Sequence, residues 1–217
     1  MWLTGWDNLH PEFNFGLNIA RSLSAVWQEY QGVGLLGGMG HASDLPRQVI
    51  LWLLSLILPT HLLRYTWTFG MLALGTIGTY VFLSRLIFPL ISKSKSSARS
   101  GFSKIPAYLG SLFYLTNLAT VQMFYVPFEP FITHFGFLPW LIFFALDVIK
   151  SGNKRALLWF IILTLLSTTQ GYVPTVFLVY ALVLLITTAI YFVILPNIGV
   201  LKRILILWAA TLTVNAF

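Results

Sequence analysis

The chain has 217 residues, of which 13 are Lys or Arg and 6 are Asp or Glu, so 9% carry charge, against about 25% in an average soluble domain. Hydrophobic residues make up 58%, among them 8 Trp, 9 Tyr and 18 Phe, and the mean hydropathy is +0.83. No water-soluble fold of this size hides that much apolar surface, which excludes a soluble enzyme, a disordered tail and a nucleic-acid domain and points to an all-α polytopic membrane protein.

The net charge of +7 is concentrated rather than spread. Nine of the 13 basic residues fall in three short stretches between apolar runs: Lys93, Lys95, Arg99 and Lys104; Lys150, Lys154 and Arg155; Lys202 and Arg203. Basic loops between spans mark cytoplasmic connections, so the expected partner is the lipid bilayer and not nucleic acid. Cysteine is absent, which removes disulfides, thiol catalysis and Cys-bound zinc. No basic and apolar signal-peptide pattern opens the chain.

Residues 1–46 hold four of the six acids, Asp7, Glu12, Glu29 and Asp44, against one basic residue, Arg21. Gly5-Trp-Asp-Asn-Leu-His-Pro-Glu12 sets Asp7, His10 and Glu12 within six residues. An Asp at a membrane interface can act as a general base, or bind a divalent cation with neighbouring oxygens and nitrogens. The same residue types also cap helices: Asp7 or Asn8 would satisfy orphan N–H groups and Pro11 would sit in a first turn.

Phe15, Ile19, Leu23, Val26 and Tyr30 recur at helical spacing, with Asn18, Arg21, Ser22 and Gln28 mainly on the other side. This predicts an amphipathic helix lying at an interface. The five glycines of Gly32–Gly40 lack the Lys-Ser/Thr of a phosphate loop and predict a close-packed flexible loop. His41 and Asp44, with Arg47 three residues on, form a second polar cluster. It reads either as completing a metal or phosphate site with the first cluster, or as a polar loop in which Asp44 caps a helix beginning near Pro46. Neither cluster has the spacing of a His-Glu-x-x-His zinc enzyme.

Val49–Leu58 is too short for a span, which needs about 20 residues, and predicts an interfacial or re-entrant segment. Tyr65–Ser84, Ile105–Val126, Phe131–Val148, Leu157–Thr169 and Val173–Leu195 follow as apolar runs, and Ile204–Phe217 begins another helix. About six transmembrane helices are expected from these lengths. The chain divides at 1–64, an extracytoplasmic loop with amphipathic and juxtamembrane helices, and 65–217, the helical bundle. By parity, basic loops 92–104, 150–155 and 196–203 lie in the cytoplasm and residues 1–64 outside, provided Val49–Leu58 does not cross. Ending partway through an apolar helix, the chain reads as a fragment that lacks an N-terminal span and is expected to be inactive by itself.

Ionisable groups near or within the spans are costly and therefore functional candidates. Asp147 lies three residues before Lys150 and is expected to pair with it; Glu129 and His134 flank an outer loop and read as interface residues. Arg64, if outside, could meet a phosphate or simply snorkel to the interface. The Gly171 and Pro174 interruption after the short run Leu157–Thr169 is like the discontinuous elements that line membrane binding sites, or a hairpin with no ligand.

This succession resembles the GT-C membrane glycosyltransferases: a short acidic motif in the first external loop, an interfacial amphipathic helix, a second short apolar helix, then many spans with small basic loops. The closing Thr-Val-Asn-Ala-Phe217 is similar to the point where large bacterial arabinofuranosyltransferase-like members continue. The resemblance implies a membrane glycosyltransferase acting in cell-envelope glycan assembly. Its donor would be a polyprenyl-phosphate-linked sugar, its acceptor a glycan, and transfer would take place on the outer face. It makes Asp7 the general base, the one residue here that maps onto a functional motif of the family; His10, Glu12, His41, Asp44 and Arg64 remain candidate substrate contacts from the polar clusters and the position of Arg64. Some members use a divalent cation and some do not; here Asp7 is followed by Asn8 rather than a second acid. Two other readings compete: a transporter or flippase, which calls for broken helices and polar groups near mid-membrane, and a non-catalytic assembly subunit.

Overall fold

The computed structural model describes residues 13–24, 38–88 and 104–216, without the side chains of Ser24 and residues 38–41. Every regular element among them is helical. Three helices are long and apolar enough to cross a membrane: Thr60–Ile87, Glu129–Ser151 and Pro174–Ile194. They contain or closely match the expected runs 65–84, 131–148 and 173–195.

Helix α1 (Phe15–Ser24) starts where the Asn14 side chain accepts the Leu17 N–H at 3.2 Å, an N-cap bond. Phe13, just ahead, has φ of +58° and is the one non-glycine residue in the left-handed region among those described. The helix expected over Asn14–Tyr30 is present as far as Ser24, and Val26, Gln28 and Tyr30 lie outside the described residues. Asn18 is buried while Leu17 and Leu23 are exposed. Asn18 faces α2, where it donates to Gln48, and Phe15 packs beside it against the core.

Helix α2 (Gly38–Ser55) begins earlier than the sequence suggests and carries Pro46 inside. Gly38 and Gly40 belong to its first turn and not to a loop, and Asp44 lies within the helix and does not cap one. Residues 32–37 of the glycine-rich stretch are outside the described residues. After a turn at Leu56–Leu58, Pro59 precedes α3 (Thr60–Phe82), which runs on through a π-helical turn at Leu83–Ile87. The division expected at residue 64 thus falls inside α3.

Helices α4 (Ile105–Thr116) and α5 (Leu118–Tyr125) replace the single span expected over 105–126. Asn117 between them is extended (φ −67°, ψ 157°), so the helix breaks. Its side chain repairs the break: Oδ1 accepts the Thr120 N–H at 3.1 Å, and Nδ2 donates to the carbonyls of Phe113 and Tyr114. An irregular backbone within an apolar stretch survives only when its polar groups are satisfied in this way.

Helix α6 (Glu129–Ser151) is central and mostly buried. It packs most extensively on α3, through glycines that let the backbones approach, the usual device of helix pairs in lipid. A Cβ on Gly75 would lie 2.6 Å from the Phe135 carbonyl oxygen, and one on Gly136 would lie 2.8 Å from the Met71 sulfur. Trp140 locks the pair by donating from Nε1 to the Leu74 carbonyl at 3.0 Å.

Gly152, at φ +67°, ends α6, its N–H bonding the Val148 carbonyl at 2.8 Å, a left-handed C-terminal cap that suits glycine. Asn153 then caps α7 (Lys154–Leu166). A 3₁₀ turn at Thr168–Tyr172 leads to α8 (Pro174–Ile194), and Asn197 caps α9 (Ile198–Val214). Helix α9 therefore begins six residues before the expected Ile204. Arg203 of α9 donates from Nη1 to the Ile149 and Lys150 carbonyls of α6 at 2.9 and 3.3 Å, so the connections 150–155 and 196–203 meet at one end. The outer face of α8, with Leu178, Leu182, Ile186 and Ile190 exposed, is wholly apolar. Several Thr residues and Gln170 are buried while many Leu and Ile are exposed, which is consistent with helices that cross a membrane.

Candidate functional site

The N-terminal ends of α3 and α6, and the middle of α2, hold the ionic centre of the described residues. Spacing i, i+3 and i+4 along α2 puts Asp44, Arg47 and Gln48 on one face. Arg47 grips Asp44 with two parallel bonds of 2.7 Å, Nε to Oδ1 and Nη2 to Oδ2, and Gln48 Nε2 adds a third to Oδ2 at 2.7 Å. Asn18 of α1 donates to Gln48 Oε1 at 3.3 Å. All four side chains are buried. Bidentate pairing of this kind is the strong form of the ion pair and fixes geometry as well as charge.

Arg47 also reaches across to α6, where its Nη1 lies 3.8 Å from Glu129 Oε1. Beside them is a cavity of about 30 Å³ whose lining includes Arg47, Arg64, Trp67, Thr68 and Glu129. That is room for a water molecule or two among polar walls. Two cations and one carboxylate thus line one small space, Arg64 being supplied by α3, with Asp44 held directly behind Arg47.

A second polar layer lies beside the first. His134 of α6 meets Gln170 Oε1 through Nδ1 at 2.9 Å, and Gln170 Nε2 donates to the Ser167 hydroxyl at 3.2 Å. With Oε1 as acceptor, Nδ1 carries the proton. The Thr168 hydroxyl donates to the Ser43 carbonyl at 2.8 Å, which seats α2 on the 3₁₀ turn. Trp67 Nε1, Thr133 Oγ1 and Thr169 Oγ1 are buried polar atoms with no hydrogen-bond partner among the described residues.

Of the residues singled out from sequence, Asp44 and Arg64 belong to this centre. His41 lies in α2, its side chain outside the described part of the chain. Asp7, His10 and Glu12 lie outside the described residues, so the first acidic cluster is not placed. His134 is buried and not the interface residue expected, whereas Glu129 is half-buried and lines the cavity. Asp147 accepts the Ser151 hydroxyl at 3.3 Å, and the expected pairing with Lys150 is not formed. The sequence marks Asn18 only as part of a polar helix face and Gln170 only as part of a turn, and does not mark Gln48 at all, because lone amides carry no spacing signal; their hydrogen bonds emerge only from contact across the fold.

Among the described residues no three His, Asp or Glu side chains gather at metal-binding distance. Both Asp44 oxygens are already engaged by Arg47 and Gln48. The described residues therefore do not fit a divalent cation, and no step is assigned to one. Comparison with protein-family models, with curated proteins and with solved structures finds no match to any of them.

Proposed function

We propose that the protein is a membrane glycosyltransferase of the GT-C kind. On this reading it takes a sugar from a polyprenyl-phosphate carrier on the extracytoplasmic face and passes it to a cell-envelope glycan. The observation that carries the reading is the buried Asp44–Arg47 pair, with half-buried Glu129 3.8 Å from Arg47 and Arg64 at the same cavity. Ionic groups in lipid surroundings are expensive and are kept where they serve a ligand or hold a site in place. Here they lie at the N-terminal ends of α3 and α6, while Lys150, Lys154, Arg155, Lys202 and Arg203 lie at the opposite end of α6. Six crossings are proposed: α3, α6 and α8 by their own length, the broken pair α4–α5 as one, and the shorter α7 and α9. The basic loops are cytoplasmic and residues 1–64 extracytoplasmic.

The division of labour follows from the chemistry. Arg64 and Arg47 offer positive charge to a phosphate leaving group, with Glu129 and Asp44 holding Arg47 in orientation. Asp7 takes the proton from the acceptor hydroxyl as the sugar's anomeric carbon is attacked, the carbon–oxygen bond to the carrier phosphate breaking as the new one forms. Sugar transfer from a radiolabelled polyprenyl-phosphate donor, in membranes containing the full-length parent protein, tests this. Asp7→Asn and Arg64→Gln should each abolish or severely reduce transfer while the protein stays folded. Undiminished transfer in Asp7→Asn would remove the base assignment.

A second reading, translocation of a lipid or solute, draws on the helix break at Asn117 and the buried His134–Gln170–Ser167 layer. It expects Gln170→Leu to stop passage of substrate while Asp7→Asn leaves it intact.

A further inference from the structure

The end of the bundle opposite the ionic centre carries its own asymmetry. Five cations, Lys150, Lys154, Arg155, Lys202 and Arg203, meet there from α6, α7 and α9. The four other than Arg203 are exposed, and none of the five enters an ion pair with the described acids. The acid on the same stretch, Asp147, is bonded to Ser151.

Arg203 is the organising residue. Its Nη1 is fixed by the Ile149 and Lys150 carbonyls, whereas Nε and Nη2 make no hydrogen bond among the described residues. Both lie 3.0 Å from where a Cβ on Gly152 would be. The same point lies 3.0 Å from Cζ, so glycine at 152 lets the flat face of the Arg203 guanidinium pack against the end of α6, which fixes its plane. Nearby, helical spacing places exposed Leu158 one turn below Lys154, and exposed Trp159 one turn below Arg155. On α9, exposed Leu205 lies one turn below Lys202, and exposed Ile198 one turn above it at the helix start. Lys154, Arg155 and Lys202 thus each have an exposed apolar residue one turn further into the bundle, the pattern of a surface that receives a charged head above hydrocarbon chains.

We infer that this end binds the phosphate headgroup of an anionic phospholipid in the leaflet facing the basic loops. Arg203 supplies directed donors, and Lys154, Arg155 and Lys202 supply the surrounding positive field. Basic pockets between helices at the cytoplasmic edge take such headgroups because the leaflet is itself negative. The apolar residues below hold the acyl chains, which is why a lipid is favoured over free phosphate.

Native mass spectrometry of the purified full chain, offered equal phosphatidylglycerol and phosphatidylcholine, tests the inference. Phosphatidylglycerol should be retained at least about ten-fold over phosphatidylcholine, since each cation contributes measurably at an anionic surface. The variant Lys154→Gln/Arg155→Gln/Lys202→Gln should lose that preference, and Lys154→Arg/Arg155→Lys/Lys202→Arg should keep it. If the glutamine variant fails to fold, the three single glutamine variants should show stepwise loss. Equal retention of the two lipids, or a preference that survives the charge removal, overturns the inference. Displacement of phosphatidylglycerol by millimolar inorganic phosphate would assign the site to a free anion and overturn the lipid assignment.

Discussion

Arg47 and Asp44 face each other one helical turn apart, joined by two bonds of 2.7 Å in a region where both side chains are buried. Removing one partner of such a pair leaves an uncompensated buried charge, at a cost of about 3–5 kcal/mol. Asp44→Leu should therefore lower the melting temperature sharply in detergent. Asp44→Leu combined with Arg47→Met should recover much of the loss, because replacing a whole buried pair by apolar groups is often near neutral. A double variant as unstable as the sum of the two singles would contradict this.

The α3–α6 contact gives a cleaner packing test. Gly75→Ala drives a methyl toward the Phe135 carbonyl, an atom that cannot swing aside. Overpacking of this kind costs about 1–3 kcal/mol. At Gly70 on the same helix, an added methyl would meet nothing within 4 Å. Gly70→Ala should be neutral or stabilising by up to about 1 kcal/mol, since alanine is the better helix former. Equal melting temperatures for the two variants would mean that α3 and α6 do not approach so closely.

How much of the molecule is legible in the sequence differs from element to element. The apolar runs 65–84, 131–148 and 173–195 follow from hydropathy, because a helix able to cross a membrane must be apolar along its length. The i, i+3 relation of Asp44 and Arg47 is visible too, but not its setting, since Gly38 and Gly40 read as loop and instead open α2. In α1 the periodicity locates two faces without saying which one meets protein; Asn18 of one and Phe15 of the other both turn inward. Glu129 joins Arg47 from 82 positions away in sequence, a relation no local pattern carries.

Asn117 is a single polar residue in an apolar run, so hydropathy alone does not reveal the break it makes. Its side chain supplies the α5 cap and satisfies carbonyls of α4. Asn117→Ala should cost about 1–2 kcal/mol, the upper range for loss of a cap. Amide exchange at Thr120, whose N–H bonds Asn117 Oδ1 at 3.1 Å, should accelerate. Unchanged exchange at Thr120 would show that the cap does not hold the break.

His134 and Gln170 provide a fourth test. Gln170→Leu deprives buried His134 Nδ1 of its partner, which costs about 1–3 kcal/mol for a buried polar group left unsatisfied. The melting temperature should fall, and His134→Leu combined with Gln170→Leu should restore part of it. A Gln170→Leu variant as stable as the parent would show that the pair carries no structural weight.

Sugar transfer on the outer face depends first on which side the acidic N-terminal cluster occupies. The 217 residues contain no cysteine, so a lone Asn8→Cys in the parent protein, with any other cysteines removed, can be probed with a membrane-impermeant maleimide in intact cells. Lys150→Cys serves as the opposite-side control. Asn8→Cys should label without permeabilisation, and Lys150→Cys only after it. Labelling of Asn8→Cys only after permeabilisation would put Asp7 in the cytoplasm and contradict the transferase reading.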